Sequence, residues 1–153
     1  MGLLMDYCSY NNDTFEKSIN AFKNGEAEEN WSETEAEFGD KKASVNIDKS
    51  WNFLSILFEK SEIGNFIIGD ENESKFELEE IAVCIFSNSY LKTVCDFAQE
   101  KNLWDRETFL NIAKSHSEFD NSKGEYYHEN LVKLLDFYSL SSQNENWVLG
   151  LLM

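Results

Sequence analysis

The sequence predicts an α+β fold in a single domain, on three observations. Its 153 residues suit one core. Short apolar runs of strand length recur at residues 3–10, 64–70, 81–86 and 147–153. Between them lie apolar stripes at helical spacing, without the regular strand–helix alternation of a parallel sheet, so helices and a small mixed sheet are the natural class. With 42% apolar and 14% aromatic residues, the composition is that of a folded chain and not of a disordered one.

The first run, LLMDYCSY, reads as a strand with Met5 and Tyr7 on one face. Asp13, with Glu16 three residues on, forms a capping box. Phe15, Ile19 and Phe22 give the helix behind it one buried stripe, closed near Gly25. Residues 26–40 hold seven carboxylates, with Trp31 and Phe38 among them. Read at period two, Trp31, Glu33, Glu35 and Glu37 share one side, so an extended or irregular segment is expected there. In NIDKSWNFLSILFEKS, Asp48 is expected to cap a helix running to about Lys60. Trp51, Leu54, Leu57 and Phe58 form its buried face, and Lys49 points to solvent.

GNFIIGD, bracketed by Gly64 and Gly69, is expected as a buried strand or turn, and ENESK as a polar loop. IAVCIF is a continuous apolar run that suits a central strand. Ser87 or Ser89 caps a helix to Lys101, with Leu91, Val94, Cys95 and Ala98 inward. Asp105 caps a second helix carrying Phe109, Ile112 and Ala113. A third runs from about Tyr126 to Leu140 with Tyr127, Leu131, Leu134 and Tyr138 inward. SSQNEN is a turn, and the closing WVLGLLM is too apolar to be left in water, so the end of the chain is expected within the sheet. There is no proline, so the turns rely on Gly, Asn, Asp and Ser.

Charge narrows the function classes. Against 29 acidic residues stand 13 basic ones, a formal net charge of −16. Phosphate contacts need lysine and arginine, so nucleic acid and anionic membrane surfaces are poor partners. Basic partners, or solubility alone, are favoured. Cys8, Cys84 and Cys95 form no CxxC pair, and no signal peptide, lipidation signal or membrane-length apolar segment is read, so a reducing, cytoplasmic setting is expected.

No constellation names a reaction. His116 and His128, the two histidines, stand in no metal-ligand spacing and are expected as ordinary surface or capping residues. There is no GxSxG elbow, no phosphate-cradling glycine loop and no DxDxDG calcium loop. The cysteines read as small core residues, and no basic neighbour lowers their pKa. Glu71, Glu73, Glu77, Glu79 and Glu80 read as solvated faces. No catalytic, cofactor or metal residue is therefore expected, and an enzyme is not the leading reading.

The segments MGLLMDY, NNDTFEKSI, VNIDKSWNFL and FIIGD, with the closing YYHENLVKLLDFYSL and NENWVLGLLM, resemble the YfbM-like family, bacterial domains of unknown function. The resemblance covers most of the chain and is sharpest at Asp48, Lys49 and Trp51. It implies the family's α+β fold and no catalytic residues. Where many members have a Tyr-Gly-Pro-like segment before the middle helix, this chain has EEIAVCIF, so a ligand site there is not carried over. Small acidic relatives look like immunity proteins encoded beside bacterial toxins.

The expectation that follows is an acidic inhibitor of the immunity kind. It would bind and occlude a basic toxin domain, such as a nuclease delivered by contact-dependent growth inhibition. The candidate partner-binding set is Glu26, Glu28, Glu29, Trp31, Glu33, Glu35, Glu37, Phe38 and Asp40. Its carboxylates match a chain read as acidic throughout, and its two large rings are what mark it as an interface. The alternative is an enzyme or small-ligand binder with a site assembled from distant residues, His116 or His128 among them.

Overall fold

In the computed structural model the described residues are 3–11, 41–69, 75–78 and 81–153. Five strands form one antiparallel sheet: β1 (Met5–Tyr10), β2 (Lys41–Asn46), β3 (Lys75–Leu78), β4 (Ile81–Phe86) and β5 (Trp147–Leu152). Their order across the sheet is β2-β1-β5-β4-β3. The last strand of the chain is thus the central one, paired with β1 through Cys8–Leu149 and with β4 through Cys84–Gly150. The expectation for residues 147–153 holds, and β4 lies inside the sheet between β5 and β3.

Four α-helices complete the described residues: α1 (Trp51–Phe58), α2 (Asn88–Glu100), α3 (Arg106–Lys114) and α4 (Gly124–Gln143), with short 3₁₀ turns at Asp48–Ser50 and Asn121–Lys123. Two starts are capped as the sequence predicts. Ser87 accepts from the Tyr90 N–H at 3.3 Å, and Asp105 accepts from the Thr108 N–H at 2.9 Å. α4 is longer than expected at both ends, because Gly124 is buried under Leu110 and Phe119, and the serines after Leu140 continue the helix.

The core follows from strand alternation. Met5, Tyr7, Cys84, Phe86 and Val148 point to one face, where α1, α2, α3 and α4 pack with Leu54, Leu91, Phe109, Leu131, Leu134 and Tyr138. Cys8, Tyr10, Val83, Ile85, Leu149 and Leu151 point to the other face and are buried as well. Burial on both faces is why IAVCIF reads as an unbroken apolar run.

Two elements depart from the sequence reading. β2, with the polar sequence KKASVN, and β3, which begins at the last residue of the ENESK loop and runs through residues assigned to no element, were not expected as strands. Both lie at sheet edges, where one face or flank meets water and hydrophobic patterning weakens. Of the two forms expected for the run after Gly64, residues 64–69 take the turn: Gly69 N–H bonds Asn65 C=O at 2.8 Å, and Phe66 and Ile67 are buried without a strand partner. Their carbonyls accept instead from two buried phenols, Tyr138 to Phe66 at 2.5 Å and Tyr7 to Ile67 at 2.7 Å.

Candidate functional site

At the start of α1 the structure corrects the role of Asp48. It makes no side-chain cap. Its backbone sits in the left-handed region at φ 52°, a conformation that Asp tolerates better than most residues. The carboxylate turns away from the helix and accepts from the Tyr126 hydroxyl of α4 at 2.7 Å. Asn46 does the local satisfaction instead: its carbonyl oxygen accepts the Asp48 N–H at 2.7 Å, and its amide donates to Asp6 at 2.5 Å. Burial, followed by the bond to Asp48, pushes the Tyr126 phenol up to about 12, so it stays protonated and serves as a donor. Asp6, Asn46, Asp48 and Tyr126 thereby tie β1, β2 and α4 to one helix start. Three hydrogen bonds thus converge on one part-buried point, where they act as a structural lock.

Trp51 follows three residues on. Its indole N–H donates to the Leu3 carbonyl at 2.9 Å, which fixes the ring, and the residue is half-buried against the core instead of fully inside it. From there a groove of about 520 Å³ runs between α1 and the 64–69 turn. Trp51, Ser55, Ile56 and Glu59 come from one side of α1, where spacings near four residues align side chains. Asn65, Ile68 and the two flanking glycines come from the turn. No lysine or arginine lines the groove, and Glu59 and Asn65 are exposed at its edge. Its volume falls in the range of ligand sites. The sequence reading missed it, because Trp51 was assigned to the core and the 64–69 run to a strand or turn with no role.

The histidines and cysteines do not converge on this groove. His116 behaves as expected, its Nδ1 accepting from the Glu118 N–H at 3.1 Å. His128 is a correction: it is buried on α4, with Nε2 3.1 Å from the Leu103 carbonyl and its ring stacked on Phe109. Its placement on the inward face of α4, one position from Tyr127, was the available signal. Cys8 and Cys84 are buried, and burial pushes the half-buried Cys95 thiol up to about 11, away from reactivity. Among the described residues no group of three or more His, Cys, Asp or Glu side chains could hold a metal ion.

The whole predicted partner-binding set, from Glu26 through Trp31 and Phe38 to Asp40, lies outside the described residues, as do Glu71, Glu73, Glu79 and Glu80. Counting charge by segment nevertheless corrects the view of a chain acidic throughout. Residues 12–40 hold nine acidic and two basic residues, and residues 70–80 hold six acidic and one basic. The remainder holds fourteen acidic and ten basic residues, close to balance. Most of the net −16 therefore belongs to two segments. Among the described residues no helix is long and apolar enough to cross a membrane.

Comparison with known proteins follows the fold. A family profile described as "Domain of unknown function (DUF1877)" matches residues 1–150. A search of curated proteins finds no match. Among solved structures, a protein of unknown function, YfbM from Escherichia coli, is similar over 98% of this chain and 99% of that one, at 12% identity and a TM-score of 0.59. At that identity the likeness is one of fold.

Proposed function

The chain belongs to the DUF1877 family of unknown function, with the YfbM-like fold the sequence resembles, and from its charge we propose an acidic inhibitor that binds and occludes a basic toxin domain. One observation carries the reading: fifteen of the 29 acidic residues sit within residues 12–40 and 70–80, against three of the 13 basic ones. Charge concentrated in this way makes a field suited to a cationic cleft of the kind nucleases use to hold phosphates. The carboxylates raise the encounter rate, and Trp31 and Phe38 supply apolar anchors that slow release. The work is done in the cytoplasm, by physical occlusion and without chemistry, cofactor or membrane.

The test is capture of toxin domains encoded near this gene, by co-expression and by binding at several salt concentrations. Affinity is expected to fall steeply as salt rises, and Glu33, Glu35 and Glu37 changed together to lysine should abolish it. An affinity indifferent to salt overturns the electrostatic reading. The ligand-sized groove beside Trp51 favours a second reading, a small-molecule binding protein. It predicts a ligand that shifts the melting temperature of the isolated chain with no protein partner present.

A further inference from the structure

We propose that the groove between α1 and the 64–69 turn receives an extended basic segment of a partner protein, with an apolar side chain against Trp51 and Ile68 and a lysine or arginine at the Glu59 end. The first support is that both walls are already fixed. The Leu3 carbonyl holds the Trp51 indole, and the Tyr7 and Tyr138 phenols hold the turn by two adjacent carbonyls. A site built this way loses little freedom on binding.

The second support is spacing. Trp51 and Glu59 stand eight residues apart along the helix face, about 12 Å at 1.5 Å per residue. An extended chain covers that span in about four residues at roughly 3.3 Å each. The third is charge. Glu59 is the charged side chain of the lining, and no lysine or arginine lines the groove beside it. An anionic peptide, a phosphate group or an anionic lipid meets the wrong sign here. The choice of a basic occupant rests on the reading of a basic partner; the position of the groove does not.

The experiment is an NMR titration of the labelled full chain with three blocked hexapeptides, alternating leucine with lysine and arginine, with asparagine, or with glutamate. The cationic peptide is expected to shift the Trp51 indole and Asn65 amide signals saturably, and the other two to leave them in place. Glu59→Gln should weaken that binding about threefold, in line with an exposed ion pair, while Glu107→Gln on α3 leaves it unchanged. Unmoved groove signals, or equal shifts with the asparagine peptide, overturn the proposal. So does an equal shift with arginine methyl ester alone, which would make this a small-molecule site. Toxin capture that fails while the cationic peptide still binds here removes only the proposed function. Toxin capture that succeeds while the groove stays silent removes only this docking site.

Discussion

Cys84 of β4 shows how much a single position decides. A Cβ built on Gly150 would stand 2.6 Å from the Cys84 Sγ, and one on Gly69 would stand 2.5 Å from the Cys84 Cβ. Both glycines admit the same neighbour, but through different atoms. Gly150→Ala should therefore cost about 1–3 kcal/mol of stability by overpacking. Gly69→Ala should cost more, since Gly69 also has φ +75° and a side chain there adds about 1–2 kcal/mol of left-handed strain. Cys84→Ala removes the sulfur and keeps the Cβ. It should relieve Gly150→Ala in part, since Met5 Cε would still lie 2.8 Å from the new Cβ, and leave Gly69→Ala as unstable as before, a pattern that denaturant titration of the double variants reads directly. A second residue-scale prediction concerns Tyr126, whose phenol sits at about 12 from burial and the Asp48 bond. Asp48→Asn should bring it down part of the way to 10, as seen in the ring signals of labelled tyrosine. The sign for stability follows. Below pH 10 both folded and unfolded phenols are protonated and stability is flat; from pH 10 to 12 the unfolded chain loses its proton first, so stability falls. Tyr7 and Tyr138, raised further by burial, push in the same direction.

At the scale of elements, the sheet is closed by the end of the chain. β5 separates β1 from β4, and without it β1–β2 and β3–β4 are two unconnected pairs. A chain ending at Asn146 should lose its near-ultraviolet circular dichroism and become protease-sensitive; if it keeps a native signal, the central place of β5 is wrong. The sequence carried this element plainly, because WVLGLLM is apolar beyond what a loose terminus tolerates. It carried α2 and α3 as plainly, through Ser87, Asp105 and stripes at helical spacing. It did not carry β2 or β3, whose edge positions weaken alternation, nor the role of Asp48. A capping residue and a residue in the left-handed region draw on the same Asp and Asn chemistry, and only the phenol of Tyr126, 78 positions away, decides between them. The groove was illegible for a related reason. Its walls come from two segments whose own patterns speak of burial, and one wall is held by two tyrosines, Tyr7 and Tyr138, that are distant in sequence from the turn they bond.

For the whole molecule, charge acts in two directions. A net −16 on 153 residues works against the compact state by self-repulsion, and the imbalance lies in residues 12–40 and 70–80. Salt shortens the screening length from about 10 Å at 0.1 M to about 3 Å at 1 M, so the melting temperature should rise with sodium chloride. Changing Glu33, Glu35 and Glu37 to glutamine should raise the low-salt melting temperature and flatten its salt dependence. Binding to a basic partner has the opposite sign, because the same screening weakens attraction between the two proteins. A variant with those three glutamines should therefore gain stability and lose affinity together. Carboxylates present for solubility alone would separate the two, with the variant more stable and its partner affinity unaltered. Calorimetry at two salt concentrations, run beside a binding titration, makes the comparison, and a melting temperature that falls with salt removes self-repulsion from the account.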